Sequence, residues 1–251
     1  MIEVKNLVKS YGNKRVVDNV SLNIEKGTIT SFIGPNGAGK STLLSMISRI
    51  MDKDSGEVII DGCELEKWNS QELAKKISIL KQSNNINVRL TIREIVSFGR
   101  YPYSEGRLTA EDNKYIDEAI EYMELKDIEN KYLDELSGGQ RQRAYIAMVI
   151  AQNTEYVLLD EPLNNLDMKH SVAMMKVFRR LVDELNKTVV IVMHDINFAS
   201  VYSDNIVILK NGKIAKDDKT ENIIKQEILE DIYEIDFDIR EINNKKICIY
   251  F

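Results

Sequence analysis

Apolar and polar positions alternate through "EVKNLVKSY", "VVDNVSLNIEKG", "TITSFIG" and "GEVIIDG", with Gly12, Gly27, Gly34, Gly56 and Gly62 punctuating the runs. That pattern predicts short strands joined by turns. After Gly34 the apolar spacing becomes helical, so strand, glycine loop and helix follow in order, half of a βα unit. "KKISIL" reads as another strand ending near Gln82. From about residue 91 to 153 the spacing is helical; Ile116, Ala119, Ile120 and Met123 share one face, and Thr109 with Asp112 suits the start of that helix. This stretch is expected to be an inserted helical subdomain. Two nearly continuous apolar runs follow, "YVLLD" and "TVVIVMH", which suit the buried centre of a parallel sheet. Between them a helix is expected to bury Phe178, Leu181, Val182 and Leu185 on one face. "IVILKNGKI" predicts a hairpin turning at Asn211-Gly212. The chain then predicts a charged helix, "TENIIKQEILEDIYEI", and a hairpin, "DIREINNKKICIYF".

Composition narrows the partners. With 251 residues, 43% hydrophobic and 29% charged, the chain can bury a core as one large domain with a subdomain. Its 34 basic against 40 acidic residues give a net charge of −6, which offers no footprint for nucleic acid. Cys63 and Cys248 lack metal-ligand spacing, so neither a zinc site nor a disulfide framework is expected, and a reducing cytoplasm is the default compartment. The start "MIEVKNLVKSYG" does not read as a signal peptide, and no apolar run approaches the roughly 18 residues that cross a bilayer. If the protein works at a membrane, another chain must span it.

Three motifs carry chemistry. "GPNGAGKST" comprises Gly34, Pro35, Asn36, Gly37, Ala38, Gly39, Lys40, Ser41 and Thr42, and it matches G-x-x-x-x-G-K-[ST] between a strand and a helix. Glycines let successive N–H groups point inward at the positive end of the helix, which suits a triphosphate. Lys40 would neutralise β/γ oxygens and the Ser41 hydroxyl would sit on magnesium. "YVLLDEP" delivers Asp160 and Glu161 at the carboxyl edge of a strand; alternation there is expected to send them in different directions, Asp160 to magnesium and Glu161 to a water. "ELSGGQRQRAYIAMVIAQ" places Ser137, Gly138, Gly139 and Gln140 at the start of a helix, a second anion-seeking terminus in one chain.

"LSGGQ" lies about twenty residues before "LLDEP" and about a hundred after "GPNGAGKST", and this combination resembles the ATP-binding cassette family over about residues 1 to 220. The resemblance implies an α/β fold: a P-loop NTPase core with a RecA-like mixed sheet, an N-terminal antiparallel β subdomain and an inserted helical subdomain. It implies boundaries of 1–88 and 154–220 for the nucleotide-binding core, 89–153 for the helical subdomain and 221–251 for a C-terminal helix and hairpin. It also implies roles: Tyr11 stacks on adenine, Gln82 joins metal to the transmembrane partner, Asp167 ends the D-loop "NNLD", and His194 reaches the γ-phosphate. His170 is read as a surface helix residue. The implied mechanism is a head-to-tail homodimer sandwiching two ATP molecules, each between the P-loop of one copy and "LSGGQ" of the other, with Glu161 and His194 in hydrolysis. "LNN" before Asp167 departs from the serine-alanine or threonine-serine pairs of many cassettes, which leaves the D-loop contacts open.

Within "LTIREIVSFGRYPYSEG", "GRYP" resembles ATPases of ferric siderophore importers, with haem and cobalamin importers as close relatives. Implied partners are integral membrane permease subunits, docked on residues 82–104, and indirectly an extracytoplasmic substrate-binding protein. The chain would then be peripheral on the cytoplasmic face of the membrane. Gly99 to Pro102 could instead be only a turn before the helical subdomain. The alternative functions are a soluble cassette ATPase of iron–sulfur cluster assembly or DNA repair, and a cassette that binds without hydrolysing.

Overall fold

The computed structural model describes residues 1–81, 88–164 and 166–250. Its strands are β1 (Ile2–Tyr11), β2 (Lys14–Ile24), β3 (Ile29–Ile33), β4 (Ser55–Ile60), β5 (Cys63–Glu64), β6 (Ile77–Leu80), β7 (Tyr156–Asp160), β8 (Thr188–Val192), β9 (Asn205–Lys210), β10 (Lys213–Lys219), β11 (Asp238–Ile242) and β12 (Lys245–Ile249). The helices are α1 (Lys40–Ile47), α2 (Ser70–Lys76), α3 (Ile92–Ser97), α4 (Tyr101–Ser104), α5 (Ala110–Tyr122), α6 (Gly138–Ala151), α7 (Met168–Asp183), α8 (Ile196–Tyr202), α9 (Thr220–Ile223) and α10 (Gln226–Tyr233). Two units form: Met1–Trp68 with Val177–Phe251, and Asn69–Lys176.

In the first unit the alternating runs pair as an antiparallel sheet in the order β2-β1-β4-β5. Ile2 and Val4 face Ile24 and Leu22 on one side and Ile60 and Val58 on the other, and all six are buried. The runs without alternation behave differently. All five residues of β3 and of β8 are buried, and β3 lies parallel between β8 and β9, as covering on both faces requires. The β9-β10 hairpin turns at Asn211 and Gly212 with φ of 52° and 78°, the pair of positive values that a type I′ turn needs. Gly212 also fastens the unit: its N–H donates to Ala38 O at 3.2 Å and its carbonyl accepts from Asp18 N at 2.8 Å.

Two expectations are corrected here. Leu185 is 51% exposed because α7 stops at Asp183, two residues short of it, while Phe178, Leu181 and Val182 are buried as expected. The charged C-terminal helix is two helices, α9 and α10, broken at Ile224 and Lys225. The break is stabilised by the terminal hairpin, since Lys246 Nζ donates to the carbonyls of Glu221 and Ile224 at 2.7 and 2.9 Å. Those acceptors would otherwise be left over at a helix end.

The second unit pairs β6 parallel to β7 and packs α3, α5 and α6 together. Thr109 and Asp112 form a reciprocal capping box at the start of α5. Asp112 does more than cap: its Oδ1 accepts from Arg100 Nε at 3.0 Å, with both side chains buried. Arg100 also donates to Ala151 O at 2.9 Å and lies between the rings of Tyr103 and Tyr115, 4.0 and 4.3 Å from their centroids. Gly99 is equally internal, because a Cβ there would stand 2.1 Å from Met148 O. "GRYP" therefore divides: Gly99 and Arg100 build the unit, whereas Tyr101 is 61% exposed.

The buried pair sets the first prediction. Burial pushes the Asp112 carboxyl up, but hydrogen bonds from the Thr109 backbone, the Thr109 hydroxyl and Arg100 bring it net below its ordinary 3.8. A depressed carboxyl contributes stability that is complete above the unfolded value and lost as pH falls through the lower folded value. Arg100→Met leaves a buried carboxylate unpaired and is expected to cost about 3 kcal/mol or more at pH 7 in urea unfolding. Its deficit against wild type should shrink when acid protonates Asp112. Equal stability of the two proteins at pH 7 would contradict this account.

Candidate functional site

The first unit carries Tyr11, residues 34–42 and His194. The loop leaves β3 after Ile33 and enters α1 at Lys40, with Gly39 as the preceding residue in the left-handed region. Two of its glycines are required by neighbours. A Cβ on Gly34 would lie 2.0 Å from Leu209 O, and one on Gly39 would lie 2.3 Å from Val16 O. At Gly37 a Cβ would meet nothing within 4 Å, and Asn36 and Gly37 are exposed. The loop is thus closed against β9 and β2 and open at its crest, Pro35 lying half-buried and Ala38 buried between the two.

Lys40 is 5% exposed and its ammonium donates to Gly34 O at 2.8 Å and Pro35 O at 3.0 Å. A buried ammonium demands acceptors, and a phosphate oxygen is a stronger one than a carbonyl because it carries charge. Ser41 and Thr42 are half-buried in the first turn of α1. Tyr11 ends β1 with half its surface exposed, its hydroxyl 3.0 Å from Met51 Sδ, so a flat face is presented to solvent. His194 is exposed beyond β8, and Asp195 caps α8 by accepting from the N–H groups of Asn197 and Phe198.

The second unit carries Ser137 to Gln140, Asp160, Glu161 and Asp167. Asp160 is the buried last residue of β7. Strand alternation does not set Glu161, contrary to expectation, because the strand has ended; Glu161 has a φ of 50°. A left-handed glutamate is an uncommon backbone state, and it is held from the next turn. Asn164 Nδ2 donates to Glu161 Oε2 at 2.6 Å, and Asn164 N donates to Glu161 O at 3.2 Å. The sequence reading placed Asn164 in "NNLD" but not its bond to Glu161, whose signal is an amide one turn after an acid at a strand end.

Asp167 accepts from His170 N at 2.8 Å and from His170 Nδ1 at 2.7 Å. The backbone N–H first and the imidazole second hold its carboxyl below the ordinary value of 3.8. His170 is a surface residue of α7, as expected, and it also holds Asp167 through its backbone N–H and its ring. Ser137 and Gln140 cap α6 reciprocally: Ser137 Oγ accepts from Gln140 N at 3.2 Å and Gln140 Oε1 accepts from Ser137 N at 3.0 Å. Ser137 and Gly138 are exposed and Gly139 is half-buried. Gln142 Nε2 donates to Pro162 O at 2.9 Å and ties α6 to the turn after Glu161. Gln82 lies outside the described residues. Among the described residues, no group of three or more His, Cys, Asp or Glu could hold a metal alone, and no helix is long and apolar enough to cross a membrane.

Comparison with known proteins gives the family and the fold. The family model described as ABC transporter matches residues 17–164. The chain is 63% identical, over the full length of both, to the petrobactin import ATP-binding protein YclP of Bacillus subtilis. It is 48% identical, again over both full lengths, to the petrobactin import ATP-binding protein FatE of Bacillus anthracis. Among solved structures, the dimeric post-hydrolysis state of the ATP-binding cassette MJ0796 bound to ADP and Pi aligns with a TM-score of 0.79 and 35% identity. That alignment covers 88% of this chain and 99% of the other. The expected α/β cassette fold is borne out.

Lys40 gives the second prediction. Lys40→Met keeps most of the buried stem and removes the ammonium, so melting temperature should change little. Affinity for ATP should fall at least about 10-fold, the loss of one charged hydrogen bond worth about 1.5–3 kcal/mol. Wild-type affinity in equilibrium titration would remove the loop from phosphate binding.

Proposed function

We propose a function from one premise: the chain belongs to the ABC transporter family, and it is an ABC ATPase. On this reading it is the ATP-hydrolysing subunit that powers import of a ferric siderophore, as two full-length relatives named for petrobactin import support. It works as a peripheral subunit on the cytoplasmic face of the membrane, docked on permease subunits, with an extracytoplasmic binding protein delivering cargo. Iron–sulfur cluster assembly, DNA repair, and haem or cobalamin import are not what these relatives are named for.

The observation that carries the chemical reading is the loop closed at Gly34 and Gly39 and open at Gly37. Phosphate enters at the open crest, where loop and helix N–H groups converge, and Lys40 transfers hydrogen bonds from two carbonyls to phosphate oxygens. Tyr11 offers its exposed face to adenine. Glu161, oriented by Asn164, accepts a proton from the attacking water as that oxygen bonds the γ-phosphorus and ADP departs. His194 donates a hydrogen bond to the γ-phosphate. Magnesium takes few protein ligands, so the Ser41 hydroxyl and the Asp160 carboxylate suit it, with Gln82 as a further ligand; bound, it neutralises phosphate charge. The relative's dimeric state supports a homodimer, in which Ser137 to Gln140 of one copy and Asp167 serve the nucleotide held by the other copy.

Docking on the permease is tested by two tyrosines, either side of Pro102, that the structure treats differently. Tyr103 lies against Arg100, so Tyr103→Ala should lower the melting temperature. Tyr101 is exposed, so Tyr101→Ala should keep stability and basal ATPase activity. It should lose co-purification with the permease and siderophore uptake, as loss of an aromatic anchor worth about 2 kcal/mol predicts. Full association and uptake by Tyr101→Ala would contradict docking at this position.

A further inference from the structure

The tip of β1, which ends on Tyr11, outruns the strand beside it. β4 begins at Ser55, opposite Val8, so Lys9, Ser10 and Tyr11 continue with β2 on one edge and past the end of β4 on the other. The connector between α1 and β4 closes that second edge with its own groups. Asp54 N donates to Val8 O at 2.9 Å. The Asp54 carboxylate then accepts from Ser10 N at 2.7 Å through one oxygen and from Lys9 Nζ at 3.1 Å through the other. Three residues earlier, Met51 Sδ accepts from the Tyr11 hydroxyl at 3.0 Å. A carboxylate thus takes the N–H that a neighbouring strand would have taken, and its charge makes it the stronger acceptor.

The connector is tied in turn to the helix behind the phosphate loop. α1 ends at Ile47, and the N–H groups of Ile50 and Met51 both donate to Ser45 O, at 3.0 and 3.1 Å. The same few residues therefore hold on to α1, which starts at Lys40, and to the strand tip that carries Tyr11. Lys9 also bears on the tyrosine directly. Its ammonium stands 6.0 Å from the ring centroid, at the edge of cation–π attraction. A lysine held over one face leaves the opposite face to a planar ligand. The Lys9 ammonium first and the Ser10 N–H second keep the Asp54 carboxyl below its ordinary 3.8, so this clasp is charged at neutral pH.

We propose that Asp54 is a positioning residue for the base end of the nucleotide: it fixes Lys9 and Ser10 so that the Tyr11 ring stands ready for an aromatic base. The proposal rests on the reading of Tyr11 as the adenine platform. Its physical basis is preorganisation: a platform already held in place loses less freedom when the base arrives, so affinity rises although Asp54 does not touch the ligand. Only the base end is arranged in this way, so a ligand made of phosphates alone gains nothing from it.

The test compares magnesium-ATP with magnesium tripolyphosphate, which lacks base and ribose, by calorimetry on the full-length chain. Asp54→Ala should weaken ATP binding roughly 3- to 10-fold, the range of one hydrogen bond, and leave tripolyphosphate at its wild-type affinity. In a Tyr11→Ala background Asp54→Ala should cost nothing further, because both act through one ring. Unchanged ATP affinity in Asp54→Ala, an equal loss for both ligands, or the full loss persisting in the Tyr11→Ala background overturns the proposal and leaves Asp54 a residue of the fold alone. If Tyr11→Ala by itself binds ATP as tightly as wild type, the adenine reading falls, and this proposal with it.

Discussion

A carbonyl oxygen of β9 occupies the place where a side chain on Gly34 would be, and a carbonyl of β2 does the same at Gly39. Everything proposed for the loop depends on this close approach. It fixes the ends of the loop against two strands and leaves Asn36 and Gly37 as the open crest. The same contact explains why the antiparallel sheet, the β9-β10 hairpin and the loop form one unit. Gly212 bonds both Ala38 and Asp18, so the hairpin turn sits between sheet and loop. A bulkier residue at Gly34 or Gly39 would have to displace main chain, for which no rotamer change can compensate.

The acidic turn solves a different problem. Asp160 is held by the sheet, but Glu161 must leave it, and the chain does so through a left-handed residue pinned by Asn164. Asp167 is pinned in the same manner by His170. Each carboxylate with a proposed role at the nucleotide is thus set by its strand or by a hydrogen bond from a nearby polar side chain. Such local support costs little in sequence and orients the acid before substrate arrives.

Much of this was legible because the signals are local. Strand alternation, the glycine loop, the Asn211-Gly212 turn and the Thr109-Asp112 cap each depend on residues a few positions apart. What escaped depends on distance in sequence or on where an element stops. Arg100 looked like part of a docking motif because its partners Asp112, Tyr115 and Ala151 come from two later helices. Leu185 fits a helical period, yet the helix ends before it. The C-terminal helix reads as continuous until Lys246, from the following hairpin, supplies donors that stabilise a break.

The central claim is that the two phosphate-seeking loops of one chain serve different nucleotides. It is tested most directly by complementation between two inactive proteins. Ser137→Arg places a bulky cation at the start of α6, and Lys40→Met disables the phosphate loop. Each alone should fail to form an ATP-dependent dimer with occluded nucleotide. Mixed, they assemble one composite site from an intact loop on one chain and an intact α6 on the other. The account predicts occluded radiolabelled ATP in the mixture and in neither protein alone. A mixture as inactive as its components would contradict the account, because it would place both loops of each chain on the same nucleotide.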